Sequence, residues 1–284
     1  MTAAHNLQTP PSTRVQPAVW ALTGTALLLA ASLLTGCVTR SDAGADSANR
    51  KDIVTDSDEP DSRKRARLRL ELATGYFNEG KTTVALDEIK QALNNDPNFA
   101  DAYNLRGLIY MRLNDPRLAE DSFRRSIALN PRDANAAHNF GWMLCQQQRY
   151  PESYTYFKQA LAVPLYGDQA KTLMAQGLCE LADGQKEPAE RSLAKAYELD
   201  AANPITGYNL ANLLYQRGDY KRSQFYIRRL NNGEFANAES LWLGIKIERK
   251  LGDTVAMGQL SGQLKRRFPQ SSELFALEKG VFND

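Results

Sequence analysis

Pro97 and Pro131 stand 34 residues apart, and the same interval separates Ala85 from Ala119, Tyr76 from Tyr110 and Gly107 from Gly141. Four residue types recurring at one interval define a repeat, too long for a heptad and of the length of a helix-turn-helix unit. Each type has a local reason. Small residues at Gly107, Ala119 and Ser126 let two helices approach closely, Tyr110 and Phe123 fill the space around that contact, and Asn130-Pro131 stops the second helix. One such hairpin cannot bury its apolar face alone, so neighbouring units must stack.

The segments "KQALNNDPNFADAYNLRGLIYMRLND" and "RRSIALNPRDANAAHNFGWMLCQQQR" resemble tetratricopeptide repeats. The pattern carries forward into six units: 66–99, 100–133, 134–167, 170–203, 204–236 and 237–270. Leu72, Ala73 and Tyr76 mark the first, and the fifth lacks its closing Pro. The resemblance implies an all-α, right-handed superhelix whose concave surface is lined mainly by the first helix of each unit. The pattern fades in the fifth and sixth units, which are expected to serve more as a cap, and residues 271–284 add a capping segment through Phe275 and Leu277.

The N-terminal part is of a different kind. An apolar run of 17 residues, Ala18 to Leu34, follows a leader whose one basic residue is Arg14. That length suits a signal-peptide core better than a membrane span. The run ends in Leu34-Thr35-Gly36-Cys37, which resembles the bacterial lipobox. The resemblance implies that residues 1–36 are a signal peptide and that Cys37 becomes the lipidated first residue. A polar segment over 37–65, rich in Ser, Asp and Ala, reads as a tether. Val38 stands where such lipoproteins held at the inner membrane carry Asp, so the periplasmic face of the outer membrane is expected.

Cleavage before Cys37 removes one Arg and no acid, taking the formal charge from +2 to +1. A near-neutral chain gives no reason to invoke nucleic acid. The run "RKRARLR" at 63–69 reads as a solvated helical turn or a membrane-proximal surface.

In tetratricopeptide units, positions 2, 5, 9, 12 and 13 of the first helix face the groove. They fall here on Leu70, Thr74 and Phe77, then on Asn104, Leu108, Met111 and Arg112, then on His138, Trp142 and Gln146. Met174, Leu178, Tyr208, Asn212 and Tyr215 follow. The candidate partner-binding residues are Asn104, Leu108, Met111, Arg112, His138 and Trp142. This apolar strip with interleaved amides holds no acid pair, no nucleophile beside a base and no metal-ligand cluster. Neither an enzyme nor a cofactor is expected, and His138 reads as a hydrogen-bonded surface residue.

Cys145 and Cys179 are 34 residues apart on the first helices of adjacent units. Such helices run side by side in the stack, and an oxidising periplasm permits a disulfide between them. Two separate buried thiols are the alternative.

The lipobox, the linker and the six units with "AYNLRGLIYMRLNDP", "HNFGWMLCQQQRY" and "AKTLMAQGLCEL" are together similar to the PilW/PilF family of type IV pilus biogenesis lipoproteins. That resemblance implies a monomeric pilotin that binds secretin subunits, escorts them to the outer membrane and supports their assembly. A scaffold lipoprotein for another envelope complex, such as peptidoglycan synthases, is the alternative, because repeats of this type serve many partners.

Overall fold

A computed structural model describes residues 58–282, and among them lie thirteen helices and no strand. The helices pair as six hairpins. The first three are α1 (Asp61–Asn78) with α2 (Thr82–Asn95), α3 (Ala100–Arg112) with α4 (Pro116–Leu129), and α5 (Ala134–Gln146) with α6 (Tyr150–Leu161). The next three are α7 (Gln169–Ala182) with α8 (Lys186–Leu199), α9 (Pro204–Gln216) with α10 (Tyr220–Asn231), and α11 (Ala238–Leu251) with α12 (Thr254–Arg267), after which α13 (Ser272–Glu278) closes the stack. Cys37, the signal segment and most of the tether lie outside the described residues.

Two backbone devices set the hairpins. At the turn inside each hairpin one residue takes a left-handed conformation: Gly80, Asn114, Gln148, Gly184, Gly218 and Gly252, with φ between 57° and 84°. This ends the first helix and reverses the chain. After α2, α4 and α8 the next residue, Asp96, Asn130 or Asp200, turns extended. For Asp96 and Asn130 the following proline disfavours any helical alternative.

Close approach within a hairpin rests on absent side chains. A Cβ on Gly107 would lie within about 2.5 Å of the Phe123 ring, and one on Gly177 would lie 2.7 Å from Leu193 Cγ. Phe123, Phe140, Phe157 and Leu193, all fully buried, fill the space so formed. Between hairpins, the first helices touch in sequence, α1 to α3, α3 to α5, α5 to α7, α7 to α9 and α9 to α11, while successive second helices lie apart. A stack pinched along one side curves toward it. The first helices therefore line the inner face.

Four features differ from the expectations above. The first helix begins at Asp61 rather than at 66. Leu72 is 48% exposed, because α1 opens the stack and no described hairpin packs on that face. The fifth and sixth units form full hairpins, and α13 serves as the cap through buried Leu274 and half-buried Leu277, while Phe275 points outward at 64% exposure. The connector before α7 is longer than its counterparts, so that Gly141 and Gly177 are 36 residues apart. Its Leu165 is fully exposed.

Candidate functional site

The inner face is built from the outward residues of α3, α5 and α7. Asn104 on α3 is half-buried, and its Oδ1 accepts a hydrogen bond of 3.0 Å from Asn139 Nδ2 on α5. Leu108 packs against both the first and the second core cluster, and Met111 lies against the cluster around Phe123 and Phe140. Trp142 is half-buried over Cys145, Phe157 and Cys179. Arg112 is exposed, but its guanidinium stacks 3.6 Å above the Phe77 ring and donates to the Phe77 carbonyl. It ties the second hairpin to the first as much as it offers a cation to a ligand. Asn104, Leu108, Met111 and Trp142 share the inner face as an apolar strip carrying amide groups.

His138 does not belong to that strip. It is 6% exposed, its Nδ1 lies 2.9 Å from Thr172 Oγ1, and the Tyr166 hydroxyl reaches the same Thr172 at 3.0 Å. The long connector before α7 brings Tyr166 and Thr172 over a position that the repeat pattern assigns to the groove. Burial, reinforced by Lys171, lowers the His138 pKa to about 4. The imidazole is neutral at physiological pH. Tyr215 is likewise buried, at 6% exposure, whereas Tyr208 is half-buried and donates to Glu239 Oε1 at 2.7 Å.

Cys145 on α5 and Cys179 on α7 form a disulfide, with their Cα atoms 5.8 Å apart. The bridge lies directly under Trp142 and joins the third hairpin to the fourth.

The basic run is occupied by local partners. Arg63 pairs with Asp96 and stacks over Phe99, Arg65 donates to Asn95, Arg67 pairs with Glu59, and Arg69 pairs with Glu88. These contacts tie α1 down rather than presenting a phosphate-binding surface. No three His, Cys, Asp or Glu side chains group to hold a metal ion among the described residues.

One surface was missed in the sequence. Leu68 (59% exposed) and Leu72 (48%) form an apolar ridge on α1, flanked by shallow clefts of 550 and 620 Å³. Arg65, Arg69, Gln91 and Asn94 border it on one side, and Glu71, Tyr76 and Glu79 on the other. The spacing of the two leucines carried the signal, but the repeat pattern absorbed Leu72 into the core.

The tetratricopeptide repeat family matches residues 100–133, the second hairpin. PilF of Pseudomonas aeruginosa, a type IV pilus assembly protein, is 29% identical over 240 residues, covering 84% of this chain and 91% of PilF. The solved structure of that PilF superposes with a TM-score of 0.71 at 27% identity, over 78% of this chain and all of that one. The crystal structure of PilW, described as a widely conserved type IV pilus biogenesis factor, superposes with a TM-score of 0.66 at 30% identity, over 75% of this chain and 98% of PilW. The chain belongs to the PilF and PilW family of type IV pilus biogenesis proteins. Within that family the superhelix acts as a protein-binding scaffold, and the inner strip and the α1 ridge are the surfaces this member offers.

Proposed function

We propose that the protein is a pilotin: a lipoprotein of the outer membrane that binds subunits of the type IV pilus secretin and promotes their delivery and ring assembly. Membership of the PilF and PilW family carries this reading. The geometry adds a physical means of binding. The N-terminal half holds an inner strip of Asn104, Leu108, Met111 and Trp142 together with the exposed Leu68 and Leu72 ridge. Apolar side chains of a secretin segment bury against these surfaces while amides satisfy its backbone, the way grooves of this type hold peptides. Cys37 supplies the anchor, and the tether gives the superhelix reach from the membrane.

The test is the state of the secretin in a strain lacking the gene. The proposal expects monomeric secretin, little of it in the outer membrane, and cells of normal shape. Replacing Cys37 by Ser is expected to leave a folded protein that fractionates away from the outer membrane and to reduce secretin multimers. Normal multimers in the deletion strain, with altered cell shape or lysis, overturn the pilotin reading and favour an envelope scaffold.

A further inference from the structure

The connector that follows the fifth hairpin opens a second cleft, lined by residues that play no part in the inner strip. It has a volume of 390 Å³, within the range of ligand-binding pockets. Tyr197 at the end of α8, Gly207 on α9, Arg229 and Leu230 on the last turn of α10, and Glu234 and Phe235 on the connector contribute to its walls.

Three observations concern its chemistry. Tyr197 is 9% exposed, and its hydroxyl, fully shielded, has no hydrogen-bond partner in the protein. A buried phenol normally finds one, so this donor is suited to an incoming acceptor. The ring is held edge-on against Tyr226 at 4.8 Å between centroids. Arg229 is exposed and lies 5.9 Å from the Tyr197 ring. Arg217 and Arg222 nearby pair with Glu190, and Arg228 pairs with Glu248, but Arg229 forms no ion pair among the described residues. Asn203, the N-cap of α9, also lines the cleft, so the positive end of that helix faces the same space. The remaining wall is apolar: Ala201, Leu230 and the half-exposed Phe235.

We propose that this cleft binds the C-terminal residue of a protein chain, its apolar side chain lying against Leu230 and Phe235 and its carboxylate meeting Arg229 and the Tyr197 hydroxyl. A terminal residue is the chemistry that joins an apolar group to an anion within one amino acid. A guanidinium with a phenolic donor matches a carboxylate, and charge-assisted bonds of this kind are the strong ones. Glu234 on the rim carries the opposite charge and weakens the attraction. The site is independent of the inner strip, so it stands or falls apart from secretin binding there.

The test uses the full chain in detergent and a fluorescein-labelled hexapeptide, Gly-Ser-Gly-Ser-Gly-Phe, with a free C-terminal carboxylate. A twin peptide carries a C-terminal amide. The proposal expects saturable binding of the acid, about tenfold weaker binding of the amide, and about a tenfold loss for the acid alone in Arg229→Gln. Tyr197→Phe weakens the acid several-fold, and Glu234→Gln tightens it. Gly207→Leu blocks the cleft without straining the fold, because a Cβ there meets only Tyr197 Cε2 at 3.8 Å. Absence of binding, equal binding of acid and amide, or full binding by Arg229→Gln or Gly207→Leu overturns the proposal. Competition by N-acetylphenylalanine at the same concentration as the peptide overturns the chain terminus in favour of a small free acid.

Discussion

Cys145 and Cys179, one repeat apart in sequence, bring the first helices of the third and fourth hairpins together with Cα atoms 5.8 Å apart, directly beneath Trp142. The bridge fixes the junction at which the connector is longest. In the chain-entropy picture, closing a loop of this length stabilises the fold by roughly 3 to 4 kcal/mol, less any strain. Thiol labelling of denatured, unreduced protein from the periplasm is expected to find neither cysteine free. Cys145→Ser with Cys179→Ser should lower the melting temperature and loosen hydrogen-exchange protection first in α5 to α7. Two reactive thiols per chain would contradict the bridge.

His138 gives the stability a pH dependence of known sign. Its folded pKa, near 4, lies below the ordinary histidine value of 6.5. The unfolded chain therefore binds a proton where the folded chain does not, and stability is lost as pH falls from 6.5 toward 4. The loss from this residue amounts to up to about 3 kcal/mol. Denaturant melts of the wild type and of His138→Gln are expected to converge as pH drops through that window. Parallel curves would mean that His138 is not buried in its neutral form.

Two glycine substitutions should act with opposite signs. Gly177→Ala places a methyl group 2.7 Å from Leu193 Cγ and is expected to destabilise by about 1 to 3 kcal/mol. Gly258→Ala, inside α12 with nothing within 4 Å of the new Cβ, is expected to stabilise by about 0.5 to 1 kcal/mol. Chemical denaturation of the two variants decides it, and a neutral Gly177→Ala would remove close helix approach from the description of the hairpin.

The 34-residue interval made the hairpins legible, because Gly107, Phe123 and Pro131 each have a local cause that any copy of the unit must satisfy. The cysteine pair was legible for the same reason. His138 was not, because its burial depends on Tyr166 and Thr172, which arrive only through the longer connector. Leu72 was misplaced because a repeat pattern assumes a preceding unit, and α1 has none among the described residues. At the other end a pattern names apolar positions, but the seven-residue α13 turns Leu274 inward and Phe275 outward. The cleft of Tyr197, Arg229 and Phe235 had no sequence signal, since it joins three segments that no short motif spans.

The central claim is that secretin is held by the N-terminal half of the superhelix. Its most direct test is the affinity of purified secretin subunits for four forms of the full chain: wild type, Asn104→Ala with Trp142→Ala, Leu68→Ser with Leu72→Ser, and Tyr208→Phe as a C-terminal control. Tyr215 is buried and makes a poor control, whereas Tyr208→Phe removes one hydroxyl bonded to Glu239. With circular dichroism confirming the fold, each N-terminal double variant should bind about tenfold or more weakly, and Tyr208→Phe should bind as the wild type does. Undiminished binding by both N-terminal variants, with loss in Tyr208→Phe, would place the secretin site in the C-terminal half and contradict the account.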